Sequence, residues 1–258
     1  MRLFSTLALC SLLAALVSTS FLVQATINHD SQQLVLVISD NWDATTGTLV
    51  SYEKQQDQWQ ATGLSTAVTL GKSGSAWGLG LHPEQKGQQK VEGDGRAPAG
   101  IFALTSAFGY ATRDFSFPYQ QMQTGHYCVD VADSSWYNQI IDTNQTGAAA
   151  AVGSTEPMRR DIHNNNDFLY KLGVVVAHNP NNVAGKGSCI FLHLWRSNSS
   201  PTAGCTAMPE QQLETLVSWL DPNKQPLMVL LPVAEYQRLQ VAWQLPLLPK
   251  ARLLRIKQ

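Results

Sequence analysis

The chain has 258 residues, 44% hydrophobic and 14% charged, so it can bury a core and is not of the charge-rich, apolar-poor disordered type. With 18 basic and 19 acidic residues the formal net charge is -1, which supplies no broad positive field for nucleic acid or an anionic membrane surface. The length fits one large domain or two small ones.

Met1 and Arg2 form a short positive start, and Leu3 to Val17 is an uncharged, largely apolar stretch. Val23-Gln24-Ala25 is a small-x-small site ahead of Thr26. That order is the pattern of a cleaved export signal. Residues 1–25 are read as the signal peptide and 26–258 as one domain, with its core at about 34–232. An uncleaved anchor fits less well, because Ser18-Thr19-Ser20 interrupts the apolar run and no stop-transfer charge cluster follows. Cys10 leaves with the signal. No later segment has the roughly 20 apolar residues that span a bilayer, so no integral span is expected after cleavage.

Leu34 to Ile38 is a β-branched run ending in Ser39-Asp40-Asn41, a buried strand and a turn. Thr48 to Glu53 and Trp59 to Thr62 read as strands of a meander, and Ala67 to Leu70 leads into Gly71-Lys72-Ser73-Gly74. Trp77-Gly-Leu-Gly-Leu81 predicts close backbone approach at its glycines. Gly93-Asp94-Gly95 forms a rigid turn into a strand over Ala97 to Phe102. Asn144 to Thr155 is polar and small, a long loop of the kind that borders sites. Gly173 to Ala177 is a further strand. In Cys189 to Trp195, period-two alternation puts Ile190, Leu192 and Leu194 on one face and Cys189, Phe191, His193 and Trp195 on the other. Pro209 to Leu220 has helical spacing, with Leu213, Leu216, Val217 and Leu220 on one stripe and Asp221-Pro222 as the stop. Pro226 to Leu231 reads as a last buried strand and Val233 to Ala242 as a helix. The chain is thus mainly β, with no strong linker and no repeat.

Cleavage leaves Cys128, Cys189 and Cys205. An odd count in an oxidising compartment predicts one disulfide and one free thiol. Cys128 with Cys189 is one pairing. Two buried thiols, or a bridge that takes Cys205, are the others, because sequence does not supply the Cα separation. His193 sits on a strand, and a loop rich in Ser, Asn, Pro and Thr returns to Gly204-Cys205. A histidine beside a thiol makes a thiolate–imidazolium pair accessible and returns the proton to a leaving amine. Gly204 permits close backbone approach, and amides near Cys205 can face an oxyanion. Taken alone, a His and a Cys on nearby elements are more often structural than catalytic.

Phe191-Leu-His-Leu-Trp195 followed by Pro201-Thr-Ala-Gly-Cys-Thr-Ala-Met208 resembles the YkuD-type L,D-transpeptidase catalytic domain, in the branch reading H-x-W then T-A-G-C. Gly93 to Phe102 resembles that family's G-x-G-x-T-P-x-G-x-F segment, with Ala97 in place of threonine, and Cys128-Val-Asp130 with Tyr137-Asn138 resembles another. The resemblance implies a β-sandwich-like domain with a few peripheral helices. It implies a thiol acyltransferase that attacks the bond after meso-diaminopimelate in a peptidoglycan stem peptide, forms a thioester and releases D-alanine. An amine of another stem, a lipoprotein lysine or water then resolves the acyl-enzyme. By position Cys205 matches the nucleophile, His193 the base and Gly204 the residue shaping the oxyanion site. No cofactor or metal is implied, and export combined with this family implies the periplasm or secretion.

The sequence departs from the better-known S-H-G-C-x-R motif. Ala203 replaces the second histidine and Ala207 the arginine. The acceptor and leaving group therefore stay open between transpeptidation, carboxypeptidation and cross-link hydrolysis. A non-catalytic peptidoglycan-binding module on the same fold is the alternative class. Substrate-binding candidates are Trp195, which can wall the site against water, Arg159 with Arg160, which can grip a carboxylate bidentately, and Tyr137 beside Asn138. Zinc ligation by His178, His193 and Cys205 lacks any close ligand pair. Gly71 to Gly74 lacks phosphate-loop spacing, and Glu92 with Asp94 reads as loop-shaping. His82, His126 and His163 read as surface residues.

Overall fold

A computed structural model describes residues 30–248; the signal-peptide reading of residues 1–25 lies outside them. Strand β1 (Gln33–Ser39) is buried along its whole length. It lies parallel to β13 (Leu227–Pro232) and antiparallel to β2 (Thr46–Gln55), so Leu34 faces Leu227 on one side and Tyr52 on the other. Strands covered on both faces need continuous apolar runs, which is what Leu34 to Ile38 and Leu227 to Leu231 supply. β2 turns through Gln56 and Asp57 into β3 (Gln58–Thr69). Both turn residues have positive φ, 48° and 60°, the handedness that matches strand twist in a two-residue hairpin. The strand expected over Trp59 to Thr62 runs on to Thr69. A register shift between Val50 and Tyr52 on β2 bends the pair.

β4 (Ser75–Trp77) runs parallel to the first residues of β5 (Ala97–Gly109). Between them Gly80 lies so close to β5 that a Cβ would sit 2.2 Å from the Ile101 carbonyl oxygen, the close approach that the glycines predicted. β5 also pairs with β6 (Tyr119–Gln121), β13 and β10 (Leu172–Val176). β10 pairs in turn with β11 (Phe191–Leu194), β11 with β12 (Thr206–Met208), and β12 with β3. Because β10 bonds both β11 and β5, the sheet returns on itself as a barrel-like sandwich. The expectation of a mainly β chain with few helices holds. Closure of the sheet goes beyond it.

A second, three-stranded sheet of β7 (His126–Cys128), β8 (Ile140–Asp142) and β9 (Glu156–Pro157) lies off the barrel. It carries two single-turn helices, α1 (Thr143–Thr146) and α2 (Arg160–His163). The stretch expected as a long loop from Asn144 to Thr155 is partly helical. The Asp142 side chain caps α1 by accepting from the Asn144 N–H, and a 3-10 turn follows over Ala148–Ala151. The segment ends where Ser154 and Thr155 bond the Asp130 carboxylate, which fixes the start of β9.

Helix α3 (Glu210–Trp219) buries Leu213, Leu216 and Val217, with Pro209 at its N-cap. Helix α4 (Val233–Leu239) follows β13 directly. The main core fills the barrel with Leu34, Leu36, Phe102, Val229, Leu216 and their neighbours. A smaller cluster lies outside it, made of Phe108, Met122, Cys128, Met158, Tyr170, Cys189, Phe191 and Cys205. Among the described residues no helix is long and apolar enough to cross a membrane. Two histidines read as surface residues are buried. His82 is stacked on Trp243, and the ring of His126 accepts from the Gln123 N–H. A ring distant in sequence for His82 and a local backbone N–H for His126 took the place of water.

Candidate active site

The two-faced strand β11 builds the site. Ile190, Leu192 and Leu194 enter the barrel core, while Cys189 and Phe191 enter the smaller cluster. β12 runs parallel to β11, with Leu192 opposite Thr206 and His193 opposite Ala207. Cys205, one residue before β12, therefore lies beside the stretch leading to His193. Both residues wall a cavity of about 220 Å³, together with Glu156, Arg160, Tyr170 and Trp195.

Cys205 is the free cysteine among the described residues and is 8% exposed. Its sulfur accepts from the Phe191 amide at 3.3 Å, and its thiol donates to the Cys189 carbonyl at 3.4 Å. Burial pushes the thiol up to about 12, with Glu156 adding to the effect and the Phe191 amide opposing it. His193 is 5% exposed and packs edge-on to Tyr170. Its Nδ1 lies 2.7 Å from the Leu194 carbonyl oxygen. A carbonyl only accepts, so Nδ1 carries the proton and Nε2 is left as a bare acceptor. Burial lowers the ring to about 4, and Arg160 and Arg196 push the same way. The resting pair is accordingly a neutral thiol and a neutral imidazole, and burial works against the thiolate–imidazolium pair that a histidine beside a thiol makes accessible. A buried site penalises both charged forms. No hydrogen bond joins Sγ to Nε2 here. A bond between them requires the thiol to turn from the Cys189 carbonyl toward His193.

Gly204 approaches Arg96 so closely that a Cβ would stand 3.0 Å from the Arg96 carbonyl oxygen. Its N–H donates to Thr202 Oγ1, and Thr202 Oγ1 donates to the Cys205 carbonyl. This small ring fixes the turn into Cys205. It also occupies the Gly204 amide.

Cys128 and Cys189 form a disulfide with a Cα separation of 5.9 Å. Closing a loop of sequence separation 61 constrains the unfolded chain by about 4 kcal/mol. Cys189 has a left-handed φ of 56°, which is costly for a residue with a side chain. Two ties hold it: the disulfide, and Asn138, whose Oδ1 accepts from the Cys189 N–H while its Nδ2 donates to the carbonyls of His178 and Asn179. The strained residue is the one whose carbonyl receives the Cys205 thiol. Tyr137 is buried away from the cavity. It donates to Glu92 and accepts from the Gly187 N–H, so it braces the approach to β11. Trp195 lines the cavity. Arg159 does not. It pairs with Asp161 at 2.7 Å and lies over the Tyr110 ring. Its neighbour Arg160 faces the cavity instead. His178 is buried, with the Leu79 N–H on Nδ1 and the Lys186 carbonyl at Nε2, and no group of three or more metal-ligating side chains exists among the described residues.

A polar wall faces the Cys–His pair, and of its residues sequence reasoning had named Arg160 but missed Tyr170, Glu156, Asp167 and Arg196. Tyr170 donates to Glu156 Oε1 at 2.6 Å. Arg160 lies over the Tyr170 ring and bonds Glu156 and Asp167. Arg196 also bonds Asp167. Burial raises Glu156. Burial also pushes Asp167 up, but the Leu169 amide and Arg160 outweigh it and the carboxyl ends lowered, that is, ionised. These residues come from β9, α2 and the approach to β10, with only Arg196 adjacent to a recognised motif. Its position directly after His-Leu-Trp was the one available signal.

The buried histidines set a pH dependence. His193 and His178 are both lowered from 6.5 to about 4, mainly by burial, and His82 is lowered too. Between those values the unfolded chain binds protons that the folded chain refuses, so stability falls as pH drops. At about 1.4 kcal/mol per unit, each of the two strongest contributes on the order of 3 kcal/mol. Glu156, raised rather than lowered, works in the opposite direction. Denaturant midpoints are expected to fall steeply from pH 7.5 to pH 4.5; an unchanged midpoint would mean that these rings are not held neutral.

Residues 27–233 match the YkuD family model, the L,D-transpeptidase catalytic domain. No curated protein and no solved structure matches the chain.

Proposed function

Because the chain belongs to the YkuD family of L,D-transpeptidase catalytic domains, we propose that it is an exported cysteine acyltransferase acting on peptidoglycan stem peptides in the periplasm or outside the cell. The observation that carries this reading is the shared cavity wall. Cys205 and a histidine with its tautomer preset by the Leu194 carbonyl face the same space. Substrate entering that space turns the thiol toward His193 Nε2. As Sγ bonds the scissile carbonyl carbon, its proton passes to Nε2, and the carbonyl oxygen takes negative charge beside the Cys205 N–H. The imidazolium then protonates the leaving amine, the C–N bond breaks, and a thioester remains on Cys205. An amine of a second stem or of a lipoprotein, or water, attacks the thioester with His193 accepting its proton; the C–S bond breaks and the proton returns to Sγ, restoring the neutral pair. Concerted transfer suits a neutral pair, since neither charged form need accumulate in the buried site.

A second reading has one observation in its favour. A thiol raised to about 12 and engaged by the Cys189 carbonyl is poorly reactive at rest, as in a module that binds stem peptides without acylation. The test is incubation of the mature protein with a synthetic stem tetrapeptide ending in D-alanine. The acyltransferase releases free D-alanine with turnover. A binding module returns the peptide intact while still retaining it in equilibrium dialysis.

A further inference from the structure

The polar wall contains two guanidiniums in different situations. Arg160 is saturated. Its Nη1 bonds Glu156, its Nε and Nη2 bond Asp167, and its plane covers Tyr170. Arg196 has a single partner among the described residues, Asp167 Oδ2 at 2.6 Å from Nη2. Its side chain is 55% exposed, against 4% for Asp167. A buried, ionised carboxylate therefore anchors one edge of the Arg196 fork, and the other donors are open at the mouth of the cavity that Cys205 and His193 wall.

The chemistry fixes which part of a substrate reaches that place. His193 must protonate the leaving nitrogen, so that nitrogen lies at Nε2 in the transition state. In an amino acid the carboxylate carbon is two bonds from the nitrogen, about 2.5 Å away. The carboxylate of a C-terminal leaving residue thus falls on the His193 side of the cavity. Arg196 belongs to that side, since it follows His193-Leu194-Trp195 directly in the chain and lines the same cavity. Arginine's planar fork matches a carboxylate with two parallel N–H donors.

We propose that Arg196, oriented by Asp167, binds the free α-carboxylate of the residue that leaves, making the site specific for C-terminal residues. This rests on the stem-peptide acyltransfer reading and sharpens it. The scissile bond is the last of a chain, and cross-links whose leaving residue has a blocked carboxylate are poor substrates. Arg160 on the same wall is already committed to Glu156 and Asp167, leaving the Arg196 mouth as the position for this carboxylate.

The test compares two synthetic tetrapeptides, one with a free C-terminal carboxylate and one with a C-terminal amide, for wild type, Arg196→Gln and Arg196→Lys. The exposed position of Arg196 makes the variants foldable, which thermal melts check. The wild type is expected to prefer the acid in kcat/KM by about tenfold to a hundredfold, the range for hydrogen bonds to a charged group. In Arg196→Gln that preference collapses to near one, mostly through KM, and Arg196→Lys restores part of it. A wild type indifferent to the amide, or an Arg196→Gln that keeps the preference, overturns the inference while leaving the acyltransfer reading in place. A wild type that releases the terminal residue from neither peptide removes both.

Discussion

Cys205→Ser destroys turnover of a stem peptide, by at least about 10⁴-fold, the scale lost when the nucleophile of a triad-type enzyme is removed. The change is nearly isosteric. The hydroxyl fits between the Phe191 amide and the Cys189 carbonyl that now hold the sulfur, so the fold and the cavity should survive. What is lost is acidity. His193, held near 4 by burial, is a weak base, and a buried thiol at about 12 already asks much of it. A serine hydroxyl is less acidic still and a poorer nucleophile. The measurement is kcat/KM on the tetrapeptide beside a thermal melt of each protein. Retained turnover in a folded Cys205→Ser protein would remove the thiol from the mechanism.

His193→Gln lowers kcat/KM by about 10² to 10⁴, the usual worth of a positioned acid–base group. Glutamine can keep the donation to the Leu194 carbonyl and much of the contact with Tyr170, but it carries no proton between thiol and leaving amine. The pH profile separates this from a packing defect. With His193 lowered to about 4, the free wild-type enzyme keeps its base unprotonated through neutral and mildly acid pH. Its acid limb should fall near pH 4, inside the window where the fold itself is losing stability, so initial rates must be taken before unfolding. The variant loses that limb. An acid limb between pH 6 and 7 would show an ordinary, solvated imidazole and contradict the buried tautomer on which the mechanism rests.

Local pattern carried much of the fold. Leu34 to Ile38, Leu227 to Leu231 and the stripe of Leu213, Leu216 and Val217 are legible because burial on two faces, or on one helical stripe, leaves a run or a period in the sequence. The alternation in β11 foretold which residues face the barrel and which face the site-side cluster. Features made by distant pairings were not legible. β10 bonds β5 as well as β11 and so closes the sheet, and no local signal announces a pairing of that separation. The hairpin turn at Gln56-Asp57 lacks the glycine or asparagine that marks such turns. In the site, the His–Cys pair stood in a motif, whereas Tyr170, Glu156, Arg160 and Asp167 converge from β9, α2 and the approach to β10 and share no spacing. Arg159 and Arg160 are adjacent in sequence. Only the direction in which α2 presents each decides that the first meets Asp161 and the second the cavity. The state of Cys205 was the deepest omission, because a pKa set by burial depends on packing that a motif does not contain.

The most direct measurement is intact-mass spectrometry of the protein, acid-quenched seconds after mixing with the stem tetrapeptide, beside Cys205→Ala. The account predicts a covalent adduct equal to the peptide minus its terminal residue, localised to Cys205 and absent from the variant. A protein that processes the peptide with no such adduct, or forms it equally in Cys205→Ala, would contradict thioester catalysis at this thiol.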